Sequence, residues 1–135
     1  MNIERISIHG GHSGSFCNHA EDTLEEIVTT YIHAGFKVVG ISEHMPPIKE
    51  KFMYSDEKEA GMTRKSLHKR FCAYFQECMR LKKKFSNQIS ILIGFETEIY
   101  SGTIDYIRKI LETYCPDYIV GSLHHVDDMM IDVSD

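Results

Sequence analysis

Apolar and polar positions along this chain alternate between two periods. From Ile3 to His9 the apolar positions Ile6 and Ile8 alternate with polar ones and stop at Gly10–Gly11, which predicts a short strand ending in a loop. Leu24, Ile27, Val28, Tyr31 and Ile32 then follow helical spacing. That helix is expected to begin at Asp22 or Thr23, with Asp22 and Glu25 as a capping box and Gly35 as its stop. Lys37 to Ser42 reads as a second strand covered on both faces, and Pro46–Pro47 prevents its continuation. The polar stretch that follows, to about Met62, reads as a long loop. Thr63 opens a long helix with Leu67, Phe71, Phe75, Cys78, Leu81 and Phe85 on its apolar face and Asn87 near its end. Ile89 to Phe95 predicts a third strand, Ser101 to Tyr114 a third helix with Ile104, Ile107, Ile110 and Leu111 inward, and Tyr118 to Ser122 a fourth strand. Strands alternating with helices predict an α/β fold with parallel strands and right-handed crossovers, and no antiparallel hairpin.

Composition changes this picture little. Hydrophobic residues make up 42% and charged residues 26% of the 135 residues, which suits one small globular domain, residues 1–135. The net charge of −5 gives no general attraction to nucleic acid. The dense basic run Arg80, Lys82, Lys83 and Lys84 reads as the solvated end of the long helix. The four cysteines form no CxxC pair, there is no apolar run long enough to span a membrane, and a cytoplasmic protein is the default expectation.

Histidine placement does change it. His9 and His12 follow the first strand, His44 the second, Glu96 closes the third, and His124 and His125 follow the fourth. Parallel strands end at one rim, so these residues converge where α/β folds place their sites. Imidazole and carboxylate suit zinc, manganese or iron. Two such ions about 3.5–4 Å apart can clamp a phosphoryl group and activate water. A single histidine after a strand is more often a capped or surface residue; four strands ending in this way favour a metal site. His125 is expected to point away, and His33 and His68 to lie on helix surfaces. Glu43 has two open readings, orienting His44 or standing as a solvated loop acid. Glu98 is a weaker ligand candidate beside Glu96. Lys49, Lys51, Arg64 and Lys65 are candidate phosphate contacts, with the solvated-surface reading favoured.

At this point four motifs resemble one family. HGGHSGSFCNHAEDTLEE (9–26), GISEHMPP (40–47), IGFETEI (93–99) and VGSLHH (120–125) are similar, in order, to the motifs of PHP (polymerase and histidinol phosphatase) proteins, with details nearest the histidinol-phosphatase branch. The resemblance implies a distorted TIM-like (β/α)7 barrel of which this chain forms about half, the N-terminal half. It implies two to three divalent ions (Zn, Mn or Fe) held by His9, His12, His19, His44, Glu96 and His124, with Glu96 and His44 catalytic. It implies hydrolysis of a small phosphomonoester such as histidinol phosphate by metal-activated water. Other branches act as phosphodiesterases or exonucleases, and a truncated half would be a non-catalytic metal-binding module. Two departures stand out. Two residues, not one, separate His9 from His12, and Ser7 stands where the family has Asp. The family's later motifs are also missing, so the expected partners are a small phosphorylated substrate and either a second copy or the absent C-terminal half.

Overall fold

The computed structural model describes residues 4–18 and 20–131. Strand β1 (Arg5–Ser7) leads through an irregular loop to helix α1 (Leu24–His33), then β2 (Phe36–His44). A single 3-10 turn (Glu50–Phe52) and the short helix α2 (Ser55–Glu59) precede the long helix α3 (Arg64–Lys84). Strand β3 (Ser90–Thr97), helix α4 (Thr103–Tyr114) and strand β4 (Tyr118–Gly121) complete the alternation, and a small hairpin of β5 (His125–Val126) and β6 (Met129–Met130) follows. The four main strands are all parallel in the order β1-β2-β3-β4, as the alternation of elements predicts, and form a curled half-barrel, as the family resemblance implies.

Local chemistry accounts for the boundaries. Thr23, not Asp22, is the N-cap of α1: its side chain accepts from Glu26 N while Glu26 returns the bond to Thr23 N. The same motif shifted by one residue wins because Thr23 holds the extended backbone a cap requires. Thr63 caps α3 in the same way with Ser66. Three lysines, Lys82 to Lys84, close that helix, where cations suit its C-terminal dipole. Lys82 pairs with Asp117, and Arg80 and Lys84 pair with Glu25, so the basic run is an ion-paired surface.

The core lies between α3 and the outer face of the sheet. Val39, Ile41, Ile91, Ile93 and Phe95 of β2 and β3 pack against Phe71, Tyr74, Phe75, Cys78 and Leu81 of α3. The buried Tyr74 hydroxyl lies 2.8 and 2.7 Å from the carbonyls of Ile41 and Gly94, a polar tie between helix and both central strands. The inner face is built differently. A Cβ on Gly94 would stand 2.6 Å from the Tyr118 ring, and one on Gly40 2.7 Å from the Tyr118 hydroxyl, so two glycines make room for one aromatic side chain.

Three sequence expectations need correction, the first being that Ile104 and Leu111 of α4, expected inward, are exposed while Ile107 and Ile110 are buried. The segment after Pro47 is not an open loop: Phe52 and Met53 are buried, Phe52 stacks on Tyr100 with ring centroids 3.8 Å apart, and α2 has its own cap. Apolar residues too few to show a period still anchor it. An antiparallel hairpin does occur, because Asp127 and Asp128 adopt the positive φ that a tight two-residue turn requires. His125 lies in that hairpin, against Phe52 and Tyr100.

Candidate metal centre

Strand register places the central pair. His44 and Glu96 are direct neighbours across β2 and β3, and Glu96 is opposite Val120 of β4. Ser42, His44 and Glu96 share the inner face by the two-residue period of a strand. Gly10 N donates to Gly40 O at 2.7 Å, which folds the chain after β1 over the end of β2 and delivers His9 and His12 to the same rim. A Cβ on Gly10 would stand 2.8 Å from that carbonyl, so glycine is needed for the approach.

Glu96 is buried, and its two oxygens face different histidines. Oε1 lies 3.1 Å from His9 Nε2 and 3.6 Å from His12 Nε2; Oε2 lies 3.4 Å from His44 Nδ1. Behind these rings, His9 Nδ1 is 2.9 Å from Ser42 Oγ and His12 Nδ1 is 3.1 Å from Glu43 Oε2. These contacts at Nδ1 direct both Nε2 atoms toward Glu96. The hydrogen bond with Glu43 is the largest of the influences that raise the His12 pKa, followed by burial, which opposes it, and then by the charges of Glu43 and Glu96.

A second group sits beside the first. Glu98 Oε1 is 2.9 Å from His124 Nδ1 and 3.6 Å from His44 Nδ1, and Tyr54 donates its hydroxyl to the same oxygen. Burial pushes the Glu98 carboxyl up, but hydrogen bonds from His44, Tyr54 and His124 outweigh it and hold the pKa below the usual value. His12, His44 and Glu96 offer ligand atoms within 4.8 Å of one another, as do His44, Glu98 and His124. His44 belongs to both sets.

Five of the six expected ligands therefore converge: His9, His12, His44, Glu96 and His124. His19 lies outside the described residues. Glu98, expected as the weaker candidate beside Glu96, lies in the second group. It follows the end of β3 on the same face as Glu96, and that two-residue spacing was the available signal. Glu43 is not a solvated loop acid: it is buried, and it holds His12 and, at 2.8 Å, Ser13 N. His125 does not point away. It is buried between Phe52 and Tyr100 with Nδ1 3.3 Å from Glu98 Oε2, because the chain bends after Ser122 and breaks the alternation of an extended strand. His68 is not a bare surface residue either; its Nε2 is 3.0 Å from the Tyr106 hydroxyl. Among the proposed phosphate contacts, Lys51 pairs with Asp128 and Arg64 donates to Pro47 O.

The donor set fits a divalent cation. Three carboxylates, Glu43, Glu96 and Glu98, are buried within one small volume, an arrangement that is costly without compensating positive charge. Glu98 Oε2 and His125 Nδ1 are buried and, among the described residues, lack a hydrogen bond of good geometry. Nitrogen and oxygen donors of this kind are those that zinc, manganese and iron take.

Fold and site together define a PHP protein. The PHP domain profile matches residues 10–133, and the chain belongs to that family. A probable histidinol-phosphatase of Schizosaccharomyces pombe is 38% identical over 130 residues, covering 96% of this chain and 42% of that protein. The histidinol-phosphatase of Bacillus subtilis is 30% identical over 120 residues, covering 88% of this chain and 43% of its own length. The crystal structure of a histidinol phosphatase described as putative, from Listeria monocytogenes, superposes with a TM-score of 0.64 at 29% identity, over 91% of this chain and 44% of that one. The histidinol phosphate phosphatase of Lactococcus lactis, solved with zinc, L-histidinol and phosphate, gives 0.62 at 21% identity, over 93% of this chain and 41% of that one. The chain thus spans about two fifths of the length of the relatives it matches.

Proposed function

We propose that this domain, residues 1–135, provides the metal-binding half of a phosphatase that hydrolyses a small phosphomonoester such as histidinol phosphate. The observation that carries the reading is the pair of adjoining ligand groups that share His44, with Glu96 presenting one oxygen to His9 and His12 and the other to His44. The histidinol-phosphatase names of the relatives support the substrate class.

His9, His12, His44, Glu96, Glu98 and His124 would hold the ions, two to three of zinc, manganese or iron. Bound ions supply Lewis acidity to a water molecule and neutralise charge on the phosphoryl group. The rest is the work of the chain. Ser42 and Glu43 fix the imidazoles of His9 and His12. Glu96, buried and flanked by three histidines, presents one oxygen to His9 and His12 and the other to His44, and would serve as a carboxylate ligand there. Ser122 donates to Glu96 Oε2 at 3.4 Å and restrains its rotation.

The test is metal content and hydrolysis of an aryl phosphate on one purified sample, with and without manganese. Bound divalent ions with metal-dependent turnover, both lost in Glu96→Ala, are expected where the whole barrel is present. Turnover of a bis-aryl diester in preference to the monoester would replace the reading with a phosphodiesterase. Folded protein that binds no divalent ion would remove it.

A further inference from the structure

The excursion between β2 and α3 brings one side chain into the second ligand group that no strand end supplies. Tyr54 is the N-cap residue of α2. Its hydroxyl donates to Glu98 Oε1 and lies 3.0 Å from His124 Nδ1 and 3.5 Å from His44 Nδ1. Its ring meets the rings of His44 and His124 edge-on, at 5.2 and 6.2 Å. Tyr54 therefore touches every member of the group. The phenol is held there from behind: Tyr54 N donates to Glu57, the buried Glu57 pairs with Arg70 of α3, and the neighbouring Phe52 is stacked on Tyr100.

We propose that Tyr54 is a positioning residue for metal binding at His44, Glu98 and His124. The proposal rests on the reading of these residues as ligands. A carboxylate oxygen has capacity for more than one partner. Glu98 Oε1 can keep the phenol hydrogen bond on one side and offer its remaining lone pair to an ion between the two histidines. The hydrogen bond fixes the rotamer of Glu98, and on its other oxygen the buried His125 limits rotation the opposite way. Groups that orient a ligand in this manner typically contribute about ten- to hundred-fold in metal affinity.

The chain offers a direct readout, because it has seven tyrosines and no tryptophan, so its intrinsic emission is tyrosine emission. A phenol hydrogen-bonded to a free carboxylate is quenched, and a cation on that carboxylate relieves the quenching. Zinc titrated into the metal-free protein is expected to raise the emission with saturation. Calorimetry on Tyr54→Phe should show zinc affinity lower by about ten- to hundred-fold at one class of site, and the emission step should be gone. Tyr100→Phe, which loses only a hydroxyl that accepts from Ile48 N, should keep both. Phenylalanine retains the ring contacts, and circular dichroism checks that the variant folds. Zinc binding of undiminished affinity in folded Tyr54→Phe overturns the proposal and leaves the ligand set standing. Zinc uptake by the wild-type chain with no change in emission overturns it without any variant. A wild-type chain that takes up no zinc overturns this and the ligand assignment together.

Discussion

Glu43 shows how much can turn on a single side chain. It is buried, and its two oxygens accept from Ser13 N and His12 Nδ1, so it ties the glycine-rich loop to the end of β2. Glutamine in its place keeps the volume but offers one acceptor oxygen for two donors. Glu43→Gln is expected to weaken metal binding by about ten- to hundred-fold in calorimetry. It should also lower the unfolding free energy of the metal-free chain by about 1–3 kcal/mol in urea titration, the cost of an unsatisfied buried donor. His68 gives a separate expectation about pH. Burial and then the Arg64 charge lower its pKa from 6.5, so the folded state favours the neutral ring. As pH falls, the unfolded chain takes up this proton first. The contribution of His68 to stability is thus complete above about pH 6.5 and is lost as pH falls through the lowered folded value. Acidification from about pH 7.5 to 5 should therefore cost the wild type more stability than His68→Gln, a difference read from urea midpoints at each pH. Most of the proposed ligand residues were legible in the sequence because each closes or follows a recognisable strand. Glu43, Tyr54 and His125 were not, since their roles depend on the path of loops rather than on periodicity.

The central strands show the same division at the level of elements. Their existence, direction and order follow from apolar runs separated by amphipathic helices. What the runs conceal is the inner face, where Gly40 and Gly94 accept the Tyr118 ring. Gly94 has an ordinary backbone, so alanine there tests packing alone: its Cβ would lie 2.6 Å from Tyr118 Cε1 and force the ring aside. Gly94→Ala is expected to destabilise the chain by about 1–3 kcal/mol, as overpacking does, measured by the shift in urea midpoint at constant slope. Because Glu96 lies two residues further along the same face of β3, displacement of Tyr118 should also lower zinc affinity, which a stability effect confined to the helices would not do. The excursion at 46–62 failed to declare itself as an element because its helices are a turn or so long, too short for a 3.6-residue period to be visible.

At the scale of the whole molecule, the sheet has, among the described residues, two unpaired edges, β1 and β4, and they are not equivalent. The β1 edge is three residues long with an irregularity between Arg5 and Ile6, a form that blunts strand addition. The β4 side is broader. Ile119 and Leu123 are exposed there. The parallel α/β sheet was readable from the alternation of strands and helices, and the half-barrel from the family resemblance; the hairpin was not, because it gives no signal beyond Asp127–Asp128. Among the described residues no helix is long and apolar enough to cross a membrane. Apolar surface beside an open strand edge drives association in water. The 135-residue chain prepared alone is therefore expected to self-associate in a concentration-dependent way in sedimentation velocity. Ile119→Lys combined with Leu123→Lys should shift it toward the monomer, and Ile8→Lys on the β1 side should do so far less. Equal effects from the two edges would mean that strand pairing rather than apolar burial drives the association. If neither substitution alters sedimentation, the β4 flank is not the surface through which copies meet.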